Sequence, residues 1–245
     1  KAQTGGAAAV ALGPNARATA ADTTALGSGS SAGAAGATAI GNFAVASAAQ
    51  AGAFGYFAAA SGQRATAIGP YASASGEQAS AFGFEAEASA AEAIAFGSSA
   101  SASAAKGTAL GEQAQVAGLA GTAVGQGAMV GALAQNGVAV GNNAQATQRR
   151  AVAIGLDALG SRPDTVAVGA GARAGHDRAT AIGNGAATTR NGQVMLGGTG
   201  TSVALGDIAA SDAAQIGPEK FVTIDAAGTL GLSNAASAAS VAQVQ

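Results

Sequence analysis

The chain has no cysteine and no tryptophan, and it has few charged or aromatic residues. Of its 245 residues, 10% are charged and 4% are aromatic. The lack of cysteine excludes disulfides and thiolate chemistry. The formal net charge of −2 gives no electrostatic basis for nucleic-acid binding, which needs a clustered basic surface. No run approaches the roughly 20 apolar residues of a membrane helix.

The chain starts at Lys1 rather than at methionine. No basic segment followed by an apolar segment and a cleavage site stands at the start, as it would in a signal peptide. We therefore expect a fragment or a processed chain, with targeting signal and membrane anchor outside it.

Large apolar residues are also scarce, and a glycine- and alanine-rich repeat takes their place. Glycine accounts for 39 residues. A pair made of an apolar residue and glycine recurs every fourteen residues, with one step of sixteen. The glycine of the pair stands at positions 13, 27, 41, 55, 69, 83, 97, 111, 125, 141, 155, 169, 183 and 197. Such a fixed period predicts a repeat protein in which each unit contacts only its neighbours.

Each unit contains two alternating runs and two turns. From Gly69 it reads Gly-Pro-Tyr, Ala-Ser-Ala-Ser, Gly-Glu-Gln and Ala-Ser-Ala-Phe. Alternation with period two predicts strands, and the clusters of glycine and polar residues predict turns. Frequent glycine disfavours helix, at about 1 kcal/mol for each glycine. The sequence therefore predicts an all-β parallel solenoid of two-strand repeats, stacked at the sheet spacing of roughly 4.8 Å.

The alternation also assigns the faces of the predicted strands. Alanine holds one set of positions in nearly every unit, as at Ala65, Ala67, Ala72 and Ala74, and fits a narrow gap between two sheets. The last residue of the first strand is instead large and apolar, and should point outward. This column consists of Leu12, Leu26, Ile40, Phe54, Ile68, Phe82, Phe96, Leu110, Val124, Val140, Ile154, Val168, Ile182 and Leu196.

A continuous apolar ribbon is not left in water, and identical ribbons of other copies are its simplest partner. The alternative is that the column fills the interior and the alanines face out. The step of sixteen adds two residues within 129–136, which preserves the alternation, so we expect a widened turn with Leu133 exposed.

The sequence shows no catalytic, cofactor-binding or metal-binding pattern, and we expect no enzyme. His176 is the sole histidine, and a lone histidine in a loop is usually a surface residue because catalysis or metal binding needs further convergent groups. The serines of the repeat have no histidine partner that would make a nucleophile.

Three sets of residues in or near the predicted turns differ from the alanine, serine and glycine that make up most of the repeat. Aromatic residues should form a ladder on one edge, serving as turn packing or as a contact stripe for a ligand; they are Phe43, Tyr56, Phe57, Tyr71 and Phe84. The acidic residues Glu77, Glu85, Glu87 and Glu92 predict a solvated patch. Six arginines from Arg149 to Arg190 alternate with Asp157, Asp164 and Asp177, which favours ion pairs between subunits over polyanion binding.

The repeat resembles the head of trimeric autotransporter adhesins of the YadA-like type. The residues that carry the resemblance are Ala151-Val152-Ala153-Ile154-Gly155, Gly137-Val138-Ala139-Val140-Gly141 and Ser202-Val203-Ala204-Leu205-Gly206. The resemblance implies a left-handed parallel β-roll, an intertwined or side-by-side homotrimer, and the large apolar column on the trimer axis. The resemblance covers roughly residues 7 to 217, and we expect a head at 1–217 with regular repeats from about 7 to 197. The tail fits the family less closely: 220–225 has the pattern of a strand and 226–228 that of a turn, which predicts a strand-turn connector at 218–232. The start of a neck or stalk follows at 233–245, where Ser240-Val241-Ala242-Gln243-Val244 is similar to the family's neck motif.

The function implied by the resemblance is attachment of bacteria to host extracellular matrix proteins, to cells or to abiotic surfaces. The implied location is the cell surface, held at the outer membrane by an anchor outside this chain. Two other functions stay open. A lattice-binding, ice-binding-like solenoid would use the threonines Thr24, Thr38, Thr66, Thr108, Thr122 and Thr180. A trimeric phage-type fibre segment is the second, because such fibres are also β-structured trimers.

Overall fold

The computed structural model describes residues 1–203, 221–224, 226 and 228–233. One compact unit covers Lys1–Ser202 and a second covers Val203–Gln245. In the second unit, Phe221–Ile224 pairs antiparallel with Leu230–Ser233, so the strand predicted there from the sequence is present. The neck-like motif at 240–244 lies outside the described residues.

The first unit is a solenoid of two parallel sheets, as predicted. Each rung adds a strand of three residues to a long-strand sheet and a strand of two residues to a short-strand sheet. The long-strand sheet contains Val10–Leu12, Thr24–Leu26, Thr38–Ile40, Gly52–Phe54, Thr66–Ile68, Ser80–Phe82, Ile94–Phe96, Thr108–Leu110, Thr122–Val124, Val138–Val140, Val152–Ile154, Val166–Val168, Thr180–Ile182 and Val194–Leu196. The short-strand sheet contains Gln3–Thr4, Arg17–Ala18, Ser31–Ala32, Val45–Ala46, Ala59–Ala60, Ser73–Ala74, Glu87–Ala88, Ser101–Ala102, Gln115–Val116, Met129–Val130, Gln145–Ala146, Leu159–Gly160 and Arg173–Ala174.

Equivalent residues of successive rungs pair in register. Ala67 pairs with Ala81, and Ile68 with Phe82, at an interval of fourteen residues. The backbone ladder continues through the turns, where the Tyr71 amide donates to the Tyr56 carbonyl at 2.8 Å. Strands of only two or three residues are therefore held by hydrogen bonds along most of each rung.

Alanine fills the interior between the sheets, as the alternation predicts. Ala65, Ala67, Ala72 and Ala74 have no solvent exposure, and the same holds for their equivalents on most rungs. The alternative arrangement, with the large column inside and alanine outside, is wrong for this chain. Each alanine buries little area, so the interior is a long stack of thin layers.

Two larger side chains in the interior are matched by a glycine on the opposite sheet. Val116 and Val130 are the largest fully buried side chains among the described residues, and both stand where other rungs carry alanine. Gly121 faces them: a methyl group there would lie 2.6 Å from Val130 Cγ1 and 3.1 Å from Val116 Cγ1. The glycine thus offsets the extra methyl groups of the valines.

The glycine of the repeat is needed where the long strand enters the first turn. Gly69 has φ +131°, and a Cβ at that position would lie 2.4 Å from the carbonyl oxygen of Gly83 on the next rung. Both the backbone conformation and the close approach of the rungs exclude a side chain. The fixed interval in the sequence therefore marks the point at which every rung turns.

The step of sixteen is absorbed in the second turn of its rung. Val124 pairs with Val140 and Val130 pairs with Ala146, so the register is the same before and after the insertion. Leu133 is 67% exposed. The predictions of a widened turn and of an exposed Leu133 are confirmed.

The described residues contain no helix. Accordingly, none of that part of the chain offers a helix with the length and apolar character required to cross a membrane.

Candidate adhesive surfaces

The outward face of the long-strand sheet carries the large apolar column along its whole length. No member of the large column is buried: Ile68 and Phe96, for example, are 40% and 52% exposed. The threonines named above lie half-buried on this same face. The outward positions of the short-strand sheet are mostly polar, as at Ser73 and Gln115. In a single chain, the outward side of the short-strand sheet is therefore mostly polar, and the outward side of the long-strand sheet carries the large apolar residues.

The aromatic ladder has the predicted geometry. The rings of Phe43 and Phe57 stack with centroids 5.0 Å apart, and those of Phe57 and Tyr71 stack at 5.7 Å with an angle of 4°. Tyr56 meets the Phe57 ring edge-on at 4.6 Å, and Phe84 meets Tyr71 edge-on at 6.1 Å. All five rings are a little under half exposed, so they form one continuous surface, which we call the aromatic stripe.

Three residues of the aromatic stripe adopt a backbone conformation that suits glycine or asparagine better. Phe43, Phe57 and Tyr71 have φ of 55°, 54° and 58°, in the left-handed region, where bulky residues are strained by roughly 1–3 kcal/mol each. The same turn position carries Asn15 or Gly29 on other rungs. Ring stacking offsets part of this strain, by about 0.5–1.5 kcal/mol for each pair.

The hydroxyl end of the aromatic stripe is electrostatically crowded. Desolvation raises the pKa of the Tyr71 phenol above its ordinary value, and a hydrogen bond with Tyr56 and the charge of Glu85 raise that pKa further. Tyr71 therefore stays protonated beyond the usual range of tyrosine and keeps its O–H as a donor.

The glutamates do not form the single patch that the sequence predicts. Glu77 and Glu92 lie in second turns, which follow the short strands, whereas Glu85 lies in a first turn, which follows a long strand. Glu87 points outward from the short-strand sheet. Glu77 is also paired with Arg64 at 3.0 Å. The acidic residues therefore occupy three different sides of the solenoid.

Asp164 finds its cationic partners within its own chain. Arg150 donates to Asp164 through Nε, and Arg149 lies 3.7 Å away on the same side. The hydrogen bond from Arg150, with the charges of the nearby arginines, lowers the pKa of Asp164 below its ordinary value. An ion pair with another subunit is thus not required to neutralise this carboxylate.

A shallow cleft surrounds the one histidine, and we did not predict it from the sequence. The cleft has a volume of about 280 Å³ and is lined by Arg162, Gly175, His176, Asp177 and Asn191. The common spacing of Arg162, His176 and Arg190, fourteen residues apart, is the signal that could have revealed it. In the described part of the chain, no three histidine or carboxylate side chains are grouped as metal ligands.

Comparison with known proteins identifies the repeat. The family model of the YadA head domain repeat matches 5–30, 51–72, 60–86, 74–100, 88–111, 102–128, 132–158 and 163–186, which together make up more than half of the chain. Among solved structures, the collagen-binding domain of the Yersinia adhesin YadA is 21% identical. The alignment covers 93% of this chain and 83% of that one, with a TM-score of 0.25. No curated protein matches the chain.

Proposed function

We propose that this chain, which belongs to the family of YadA head domain repeats, is the adhesive head of a trimeric adhesin. The family is one of adhesins exposed on the cell surface. The proposal adds that three copies assemble, that they attach to a host matrix protein, a cell or an abiotic surface, and that an anchor outside this chain holds them at the outer membrane.

One observation carries the proposal: no member of the large apolar column is buried in a single chain. A ribbon that runs from Leu12 to Leu196 is much longer than the scattered apolar residues of a soluble monomer surface. Burying it on a common axis requires an assembly with cyclic symmetry. The polar short-strand sheet then faces outward, in agreement with its outward residues.

The aromatic stripe is the proposed contact site of the head. A turn that accepts asparagine or glycine on other rungs holds strained aromatic rings on three consecutive rungs, and folding alone does not require them there. Exposed tyrosine and phenylalanine supply large contact area at low entropic cost. Three copies of the stripe in one assembly add avidity without a deep pocket.

An ice-binding-like function is less compatible with this arrangement. The threonines that would bind an ordered lattice share the face of the large apolar column and lie half-buried between its members. The assembly that buries the column also removes these threonines from solvent.

The test of the attachment function compares two variants of the same turn position. The full chain is applied to immobilised collagen, fibronectin and laminin and to bare polystyrene, and the bound amount is measured. Phe57→Asn should reduce binding to the surface that the unsubstituted chain prefers, and it should not lower thermal stability because asparagine accepts a left-handed φ. Gln113→Asn, at the equivalent turn position with φ 55°, is the control and should bind normally.

Unchanged binding of Phe57→Asn would overturn the aromatic stripe as the contact site. Failure of the unsubstituted chain to bind any of the four surfaces would count against the attachment function over that range of surfaces.

A further inference from the structure

The edge formed by the second turns changes composition towards the C-terminal end of the solenoid. One position in this turn is glycine or alanine on ten consecutive rungs: Gly6, Ala20, Ala34, Ala48, Gly62, Gly76, Ala90, Ala104, Gly118 and Ala134. The same position then holds large polar side chains on four rungs in a row: Gln148, Arg162, His176 and Arg190. A position that elsewhere carries at most a methyl group does not need these side chains for folding.

The cleft lies on this edge, and two members of the polar column, Arg162 and His176, line it. Its hydrogen-bonding groups are already oriented by the backbone of neighbouring rungs. The Thr188 hydroxyl is buried, accepts the Gly175 amide at 3.1 Å and lies 3.3 Å from His176 Nδ1. This contact engages Nδ1 within the chain, so Nε2 is the ring nitrogen of His176 left for a ligand.

Asn191 is oriented in the same way. Its Oδ1 accepts the backbone amide of Asp177 at 3.1 Å, so its NH₂ group is the end that is left to donate. The lining of the cleft therefore combines the Asn191 amide, the His176 imidazole and the Arg162 guanidinium with one carboxylate, that of Asp177, as an acceptor.

The cationic charge of this edge is only partly neutralised. Asp164 pairs with Arg149 and Arg150. Arg162, by contrast, forms no ion pair with any carboxylate of the described residues. A guanidinium with free donors is suited to bind a sulfate or carboxylate group in a bidentate manner.

We propose that this part of the edge binds an acidic polysaccharide, with its sulfate or carboxylate groups on the arginine and histidine column and a sugar hydroxyl on Asp177. Stacked rungs repeat at roughly 4.8 Å, so Arg162, His176 and Arg190 form a line that a chain of charged sugars can follow. Single-stranded nucleic acid fits less well, because the cleft has no aromatic lining on which a base could stack.

The site is compatible with the proposed trimer. The large column stands at the C-terminal end of each long strand, beside the first turn, whereas the polar column lies in the second turn at the opposite edge. An assembly around the large column thus leaves the second turns at its periphery. The inference goes beyond the proposed attachment and does not depend on the aromatic stripe.

The test uses the full chain and immobilised heparin as the sulfated polysaccharide. The triple variant Arg162→Ala, His176→Ala, Arg190→Ala restores the residue that other rungs carry at this position, so it should fold normally. We expect heparin affinity to fall at least tenfold. The control Arg17→Ala, Lys106→Ala removes two cations from other places and should change affinity less than twofold. Phe57→Asn should also bind heparin normally, which separates this site from the aromatic stripe.

Competition experiments distinguish the chemical classes. Soluble heparin should displace the chain, whereas uncharged dextran should not, and free sulfate should compete only at far higher sulfate concentration. Equal losses in the triple variant and the control would overturn the proposal, because binding would then follow total charge. If free sulfate competed as well as heparin at the same concentration of sulfate groups, the site would be one for small anions. If the chain bound double-stranded DNA more tightly than heparin, the site would be one for nucleic acid. Either result would refute the polysaccharide proposal.

Discussion

Adding one methyl group to the interior of the solenoid should destabilise it measurably. In Gly121→Ala the new Cβ would lie 2.6 Å from Val130 Cγ1, 2.9 Å from the Gly118 carbonyl oxygen and 3.1 Å from Val116 Cγ1, whereas carbon atoms in contact prefer about 3.5–4.0 Å. Gly121 does not have a left-handed φ, so crowding is the only obstacle. We expect a loss of roughly 1–3 kcal/mol in the free energy of unfolding, the usual cost of overpacking.

The assay is denaturant unfolding at matched protein concentration, because assembly makes stability concentration-dependent. The control is Gly33→Ala, where a new Cβ would have no heavy atom within 4 Å. This control should be neutral, or stabilising by about 0.4–1 kcal/mol, because alanine restricts the unfolded chain.

A rescue experiment tests the cause of the loss. At the equivalent position of another rung, Ala79 is fully buried opposite short strands that carry alanine. In a background with Val116→Ala and Val130→Ala, Gly121→Ala should therefore cost little, with a coupling on the order of 1 kcal/mol or more. If Gly121→Ala lowered the free energy of unfolding equally in both backgrounds, or in neither, the claim that Gly121 makes room for Val116 and Val130 would be refuted.

Three further predictions concern the faces, the insertion and one carboxylate. Ala74→Leu should lower the melting temperature much more than Ser75→Leu, because the first side chain points into the gap, and equal melting temperatures would overturn the assignment of the faces. Deleting Leu133 and Ala134 together should leave stability nearly unchanged, since it restores the turn length of other rungs, whereas deleting Leu133 alone should destabilise the solenoid; the reverse order would show that the register is wrong. The lowered pKa of Asp164 stabilises the fold at pH values above the pKa that this carboxyl has in the unfolded chain, and this stabilisation is lost as pH falls through the folded pKa. Asp164→Asn should therefore reduce the pH dependence of the melting temperature in acid. An unaltered pH profile would refute the contribution of Asp164.

The period and the alternation were enough to predict the rungs, the alanine interior and the outward column. They were sufficient because a strand side chain has only two sides to choose from and the narrow gap admits only small residues. The aromatic ladder could be predicted as well, since residues fourteen apart stack on each other, as Phe43, Phe57 and Tyr71 do.

Other features could not be derived from residue type alone. The glutamates were grouped by nearness in sequence, but Glu77 and Glu85 are eight residues apart and so lie on opposite edges of the rung. The partners of Asp164 depend on how long side chains reach across one rung, which a pattern does not fix. The cleft depends on the contact of His176 with Thr188, which lies one rung further on, near the end of the regular array.

The most direct test of the account is the mass of the full chain in solution, measured by sedimentation equilibrium. We predict three times the mass of one chain, and a single-chain mass for Ile68→Asp, because a carboxylate on a dry symmetry axis is unpaired and costs several kcal/mol in each copy. Ser31→Asp, on the outward side of the other sheet beside Arg17, should keep the threefold mass. A single-chain mass for the unsubstituted protein, or a threefold mass for Ile68→Asp, would contradict the claim that the large apolar column is where the copies meet.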